Sequence, residues 1–271
     1  MSEPVTVAEP SAPIVQIEAN LHGHITYVHR RHSSMVLWDE PALLLADSGL
    51  PSDTFNKVAR AKFSPKRSNG EIARALAHFR TVSRPFAWWV GPSSRPLNIE
   101  ERLQERGFRL AGLETGMRLE LRNLFEPPAP DGLTVERVSS PAQLEDFSRV
   151  LAENWEPPDP TCAPSYRTAC PFLLRAESSL RCFIGYLDGE PAAVSGLYLE
   201  GDAGGIYAVA TRRLFGRLGI SSRLTWAAAQ EARRAGAVWA VLQASGEGKA
   251  IYERLGFQHC CHFAEYTPPL G

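Results

Sequence analysis

Residues 180–244 carry two kinds of strand connection, and together they restrict the chain to a mixed β-sheet. The segment predicts three strands, a helix and a further strand, at 180–187, 191–199, 205–211, 219–235 and 238–244. Asp188 and Gly189 form a strong hairpin signal between the first two strands, which are therefore antiparallel. A helix between two strands is typical of a crossover that joins parallel strands. We therefore expect a mixed, mostly antiparallel sheet flanked by helices, an α/β (α+β) fold.

The clearest domain boundary is the proline-rich segment 124–132, which interrupts both helical and strand periodicity. A single domain usually has about 100–150 residues. The chain of 271 residues is longer, and we predict two domains, 1–128 and 129–271. The remaining elements of the second domain are a strand, three helices and a terminal strand or hairpin, the first four predicted at 133–138, 141–154, 165–175 and 249–255.

The two halves of the chain end in a similar way. A strand with tryptophan leads to a Gly-Phe pair in both, over 20 positions from Trp88 to Phe108 and over 18 from Trp239 to Phe257. Duplication of a strand, a helix and a Gly-Phe corner explains the similarity. Two unrelated helices that each end in a glycine cap are the alternative.

Composition and charge exclude several classes of protein. A hydrophobic fraction of 44% and a charged fraction of 22% are those of an ordinary globular protein. The net charge of −1 provides no overall field for nucleic acid or an anionic membrane. There is no signal-peptide pattern, and no apolar run approaches the ~20 residues of a membrane span. The five cysteines lack C-x-x-C spacing. We expect a cytoplasmic monomer or homodimer with free thiols and no metal.

Segment 209–224 predicts an anion-binding site. Here a β-strand passes through a loop rich in arginine and glycine into a helix, whose first amide groups lack intrahelical partners. Such amides and the helix dipole attract phosphate groups, and Gly216 and Gly219 let the backbone approach closely. Four cations with no acid between them lie in this segment: Arg212, Arg213, Arg217 and Arg223. A solvated basic loop that caps a helix is the alternative interpretation.

Two other phosphate-binding motifs do not fit the sequence. The glycines of the loop 216–221 lack G-x-G-x-x-G order, which argues against a dinucleotide-binding domain. Residues 246–249 superficially resemble a P-loop. That motif requires glycine where Ala244 stands and serine or threonine where Ala250 stands. Kinase and ATPase chemistry therefore lose their support.

The same region resembles the acetyl-CoA-binding core of the GNAT acetyltransferases. Five signals occur in the family's order: a strand at 208–211, the loop 216–221, an alanine-rich helix, the sequence VLQAS that ends at Ser245, and AIYERLGF at 250–257. The resemblance covers about 133–266. The family's loop pattern is Q/R-x-x-G-x-G/A. Gly219 fits this pattern, whereas Gly216 and Ser221 depart from it, so charge near the phosphates would come from arginines such as Arg217.

The resemblance implies acetyl-CoA or another acyl-CoA as cosubstrate. Its binding residues would be Ala208, Val209, Ala210, Thr211, Gly216, Arg217, Leu218, Gly219, Ile220, Ser221 and Ser245. The pantetheine arm would lie along 208–210, and an amide near Val209 would hold the thioester oxygen. Tyr252 would be the general acid that protonates the departing thiolate or holds it by a hydrogen bond, and a packed aromatic on a short helix is the alternative. Ser245 would contact the cofactor arm, and a helix N-cap explains this serine nearly as well.

The general base is left open by the sequence. Six residues are candidates for it: Glu153, Asp159, Glu200, Tyr207, His259 and Glu265. A water relay is the alternative. The proline-rich loop 155–162 would form a wall of the acceptor site, and a stiff connection without a role in binding is the alternative. In the N-terminal half, Leu103 stands where the tyrosine would be, so that half would be a degenerate GNAT-like domain that shapes the acceptor cleft or covers a sheet edge.

These implications predict an N-acyltransferase. An acyl group would pass from acyl-CoA to a primary amine, by direct attack in a ternary complex, and a small-molecule acceptor is favoured over a protein tail. A non-catalytic sensor or scaffold that binds acyl-CoA is the alternative, and an alcohol or hydroxylamine acceptor is a further one.

Overall fold

The computed structural model describes residues 10–269, and within this range eleven strands form one sheet. The strands are β1 (Val36–Glu40), β2 (Leu43–Asp47), β3 (Lys57–Ala59), β4 (Ala87–Val90), β5 (Arg109–Glu120), β6 (Leu133–Arg137), β7 (Leu180–Leu187), β8 (Glu190–Glu200), β9 (Ala203–Thr211), β10 (Trp239–Ala244) and β11 (Gln258–Thr267). The α-helices are α1 (Ala12–Tyr27), α2 (Ser68–Thr81), α3 (Ile99–Gln104), α4 (Pro141–Ala152), α5 (Cys162–Leu173), α6 (Ile220–Arg234) and α7 (Lys249–Arg254). The predicted mixed sheet flanked by helices is confirmed.

The strand order shows that the halves exchange strands. Across the sheet it is β1-β2-β3-β4-β11-β5-β10-β9-β8-β7-β6. We call residues 10–128 the N-terminal half and 129–269 the C-terminal half. β5 of the N-terminal half lies between β10 and β11, and β11 of the C-terminal half lies between β4 and β5. The parallel pairs are β3–β4 and β9–β10, so each half places its last strand against the parallel pair of the other.

The repeat found in the sequence has the same local structure in both halves. β4, α3 and β5 follow one another as β10, α7 and β11 do. At each corner the glycine has a positive φ, +83° at Gly107 and +93° at Gly256, which only glycine adopts readily. Phe108 and Phe257 after them are both buried.

The predicted elements of the C-terminal half are all present. The largest shift is at α5, predicted at 165–175 and observed at Cys162–Leu173. α4 begins where its sequence indicates: the Ser140 hydroxyl accepts a hydrogen bond from the Gln143 amide at 3.2 Å, and Pro141 occupies the first turn.

Small residues fix α6 against the sheet. Ala228, Ala229 and Ala232 are fully buried on its inner face, together with Ile220 and Leu224. A Cβ added at Gly204 of β9 would lie 2.5 Å from the Ala232 Cβ, so helix and strand approach as closely as side chains allow. This packing places the start of α6 beside the end of β9.

Helix α1 of the N-terminal half covers the junction of the two halves. The Asn20 amide donates to the carbonyls of Tyr198 and Ala203, at 3.3 Å each, and its oxygen accepts from the Tyr207 hydroxyl at 2.8 Å. Within residues 10–269 no helix is both long and apolar enough to cross a membrane. The five cysteines are free thiols.

Candidate active site

Strands β9 and β10 begin as a parallel pair and then separate. Their pairing runs from Trp239 opposite Ala203 to Val241 opposite Gly205, and goes no further. Both strands continue beyond this point, to Thr211 and Ala244. A cavity of about 520 Å³ opens there, and residues of both halves line it.

A β-bulge shapes the β9 side of the cavity. The register between β8 and β9 shifts between Val194 and Gly196, and Ala208 in the bulge has φ +50°, which is uncommon for a residue other than glycine. Ala208 and Val209 line the cavity. Because a bulge leaves backbone groups out of the regular ladder, this strand can offer amide and carbonyl groups to a ligand.

The parallel pair of the N-terminal half stays closed. Beyond β3 and β4 the chain segments remain joined, since the Phe63 amide donates to the Arg95 carbonyl at 3.1 Å and Lys62 and Arg95 form a bridge. The Glu18 carboxylate of α1 occupies the adjacent position and accepts from the Ser93 amide at 3.0 Å. The space left there is about 10 Å³. This is too small for a CoA arm.

The predicted phosphate loop lies at the start of α6, outside the lining of the cavity. Gly219 precedes the helix with φ +77°, and no side chain caps the first amides of α6. Arg217 also has a positive φ, +64°. Ile220 is buried in the core, so only its backbone is available to a ligand, whereas Leu218 is exposed.

Three of the four arginines of this segment have acidic partners that the local sequence did not reveal. Arg212 binds Glu153 at 2.9 Å, Arg213 binds Glu156 at 2.7 Å, and Arg223 binds Glu126 at 2.5 Å. Among the residues that the structure describes, Arg217 has no carboxylate within ion-pair distance. Arg217 is therefore the cation of the loop most available to an added phosphate.

Of the predicted binding residues, Ala208, Val209 and Ser245 line the cavity, and the remaining strand residues lie next to them. Ala210 is buried, and the Thr211 hydroxyl is buried without a hydrogen-bond partner in the described part of the chain. The Ser245 hydroxyl accepts from the Gly248 amide at 3.3 Å, so it also holds the turn that leads into α7.

Tyr252 of α7 lines the same cavity. Its ring packs edge-on against Phe257, with ring centroids 5.9 Å apart. Burial, and next the nearby Glu114, raise the pKa of Tyr252 to about 12. The phenol therefore stays protonated at neutral pH and can act as a proton donor.

The six base candidates have different surroundings. Tyr207 and Glu265 line the cavity, and both have partners: Tyr207 donates to Asn20, and Glu265 accepts from Lys57 and from the Trp89 indole, at 3.0 Å each. The other four lie outside the lining of the cavity: Glu153, Asp159, Glu200 and His259. Glu153 is paired with Arg212, and Asp159 accepts from the Thr161 hydroxyl at 2.6 Å.

The sequence analysis missed Glu114, a partly buried carboxyl group that lines the cavity. Burial, and next the charge of Glu265, raise the pKa of Glu114 to about 7, and Lys57 acts in the opposite direction. Glu114 belongs to β5, in the half predicted to be degenerate. No local motif identifies it, because its position depends on the exchange of strands.

A match to a sequence family indicates the function of the C-terminal half. Residues 144–257 match the sequence model described as the Acetyltransferase (GNAT) family. No curated protein sequence matches the chain. The matched range contains the separated strands, the loop before α6 and Tyr252, so the match and the geometry indicate the same region.

Solved structures share the fold over both halves. A GCN5-related N-acetyltransferase from Kribbella flavida is 20% identical and aligns over 97% of this chain and 98% of its own, with a TM-score of 0.75. A functionally unknown conserved protein from Staphylococcus epidermidis is 14% identical over 89% of this chain and 96% of its own, with a TM-score of 0.65. A tandem GNAT protein from the clavulanic acid biosynthesis pathway is 15% identical over 84% and 78%, with a TM-score of 0.57. The C-terminal half of this chain thus belongs to the GNAT acetyltransferase family, as its motifs predicted.

Proposed function

We propose that the protein is an N-acyltransferase that moves an acetyl or related acyl group from acyl-CoA to a primary amine of a small molecule. The amine attacks directly, within a ternary complex. One observation carries the proposal: β9 and β10 separate into a cavity that Ala208, Val209 and Tyr252 line together. An extended arm can bind between separated strands as an added strand does, and its reactive end then lies beside the tyrosine.

The residues present fit a CoA molecule. The bulge at Ala208 frees backbone groups along β9, and the uncapped amides of α6 and the unpaired Arg217 suit a diphosphate. The proposed contacts are those of the sequence analysis: Ala208, Val209, Ala210, Thr211, Gly216, Arg217, Leu218, Gly219, Ile220, Ser221 and Ser245. The departures at Gly216 and Ser221 cost little in this arrangement, since the donors at the start of α6 are backbone amides.

The chemistry follows from two groups. The Val209 amide stabilises the oxyanion that forms when the thioester carbonyl is attacked, a contact worth roughly 3 kcal/mol in other acyl transfers. Tyr252, protonated because its pKa is about 12, gives its proton to the sulfur that leaves.

The size of the cavity supports a small acceptor. Sites for small molecules usually have volumes of about 300–1,000 Å³. The cavity of about 520 Å³ falls within this range and must hold the end of the CoA arm as well. Its walls come from both halves, including Trp155 of the predicted acceptor loop.

The test follows free-thiol release from acetyl-CoA in the presence of a library of small amines. We expect release with a subset of them and a fall in kcat of roughly 100-fold or more in Tyr252→Phe, with acetyl-CoA binding retained. If calorimetry shows acetyl-CoA binding but no amine promotes release, the protein is a sensor and the proposal is wrong. If Tyr252→Phe retains the full rate, the assignment of the acid alone is wrong.

A further inference from the structure

The register of β5 places Glu114 at the mouth of the separated strands. Its neighbour Thr115 lies opposite Ala244, the last residue of β10, and Glu114 itself lies opposite Phe263 of β11. The chain continues from Ala244 through Ser245 into α7 and Tyr252. Glu114, Ser245 and Tyr252 accordingly line one cavity, although β5 belongs to the other half of the chain.

Glu114 differs from the other carboxyl groups of the cavity in its partners. Glu265 is engaged by Lys57 and Trp89, and Asp53 is exposed to solvent. The pKa of Glu114 is shifted by burial and by the charges of Glu265 and Lys57, and no hydrogen bond to Glu114 contributes to the shift. Its oxygens are therefore available to a ligand in this part of the cavity.

We infer that Glu114 is the base that takes a proton from the acceptor amine, so that the acyl-transfer site is composed of both halves of the chain. The inference rests on the proposed function and gives the N-terminal half a catalytic residue in addition to its part in shaping the cleft. A carboxylate beside the acyl-binding cavity also attracts the ammonium form of the acceptor before the proton is transferred.

The proton transfers balance. The ammonium group gives one proton to the Glu114 carboxylate, and the neutral nitrogen uses its lone pair to form a bond to the thioester carbon while the carbonyl electron pair moves to oxygen. When the carbon–sulfur bond breaks, its electron pair goes to sulfur, which takes the Tyr252 proton. The phenolate then takes the second proton from nitrogen, and Glu114 returns its proton to water. The products are an amide, free CoA thiol and one proton in solution.

The charged surroundings suit this role at neutral pH. Glu265 on β11 and Lys57 on β3 face Glu114, and Tyr252 on α7 is close enough for Glu114 to raise its pKa. A general base is most effective when its pKa is close to the pH at which the enzyme works. With a pKa of about 7, Glu114 meets this condition.

The test compares acetyl transfer by the unaltered protein and by Glu114→Gln, with an amine selected in the library, at pH values on both sides of neutrality. We expect the unaltered protein to lose rate as the pH falls through about 7. Glu114→Gln should lose roughly 100-fold in kcat at neutral pH, keep its affinity for acetyl-CoA, and recover rate at high pH, where the amine is already neutral. Glu101→Gln, the same change at an exposed position of α3, is the control and should behave like the unaltered protein.

Two outcomes would overturn the assignment. The first is that Glu114→Gln keeps the rate of the unaltered protein and the same fall in rate at acidic pH. The second is that the unaltered protein shows no fall in rate as the pH decreases through neutrality. The second measurement needs no variant and decides the question even if Glu114→Gln does not fold. Absence of thiol release by the unaltered protein with every amine is a different result, which rejects the proposed function and the base together.

Discussion

The Lys57 ammonium of β3 lies 3.0 Å from a carboxylate oxygen of Glu265 in β11. This ion pair joins strands from the two halves at the wall of the cavity, and both side chains are largely shielded from solvent. Burial raises the pKa of Glu114 most, the charge of Glu265 raises it further and Lys57 lowers it, so the pair sets the charge balance around the proposed base.

Replacing Glu265 should move the pH dependence of the reaction. Burial, the largest cause of the raised pKa of Glu114, remains in Glu265→Gln, but the added charge of Glu265 is lost and Lys57 loses its partner, so the pKa of Glu114 falls. The basic form then persists at lower pH, and the acidic limb of kcat should shift towards acid. A limb that stays in place, or moves towards alkaline pH, would contradict the assigned interaction.

The exchange of strands should make the halves dependent on each other. A fragment of residues 129–271 lacks β5 and leaves edges of β10 and β11 unpaired, which favours aggregation. We expect this fragment to be insoluble or unfolded by circular dichroism. Coexpression with 1–128 should restore a soluble complex. We propose a division of the chain near residue 128. If the fragment of residues 129–271 folds alone, β5 is not required for the fold of the C-terminal half.

The bulge should tolerate glycine and reject a branched side chain at position 208. Ala208 has φ +50°, where a β-branched residue is strongly strained. Ala208→Val should weaken acetyl-CoA binding by roughly tenfold, or ~1.4 kcal/mol, measured by calorimetry. Ala208→Gly adopts the same backbone without strain and should bind as before. If both variants bind acetyl-CoA equally well, the bulge does not contribute to the cofactor site.

Removing Arg217 should weaken acetyl-CoA binding in a salt-dependent way. Its guanidinium has no acidic partner among residues 10–269 and is therefore available to a phosphate. We expect the dissociation constant of Arg217→Ala to rise by roughly tenfold at low salt and by less at high salt, because ions screen the interaction. Arg213→Ala is the matched control, since Arg213 is already paired with Glu156. An equal loss in both variants would assign the effect to net charge alone.

An ion pair with a buried carboxylate in the N-terminal half should stabilise the fold. The Asp47 carboxylate is fully buried and binds Arg84 at 2.8 Å and His78 at 2.9 Å. Arg84→Ala leaves this carboxylate without its cation, and should lower the free energy of unfolding by about 3 kcal/mol in urea titration. Arg122→Ala removes an exposed pair with Glu120 and should cost less than about 1 kcal/mol. If the two variants lose similar free energies of unfolding, the pair of Arg84 with Asp47 does not stabilise the fold more than an exposed pair does.

The sequence by itself determined the elements of the C-terminal half and the family to which that half belongs. The hairpin at Asp188-Gly189, the crossover through α6 and the Gly-Phe corner before β11 are local patterns, set by turn chemistry and side-chain periodicity, and each occurs where it was predicted. The similar corner at Gly107-Phe108 also indicated the repeat in the N-terminal half.

Only the tertiary structure decided which strands are neighbours and which charged groups meet. β5 and β11 pair with the opposite halves across more than a hundred residues of chain, and local periodicity contains no information on such a partner. The burial of Glu114 beside Glu265 follows from that pairing, whereas the ion pair of Arg212 with Glu153 follows from the packing of α4 against β9. The pKa of a carboxyl group depends on burial and on nearby charges. The candidate base could therefore be identified only once the strands were in place.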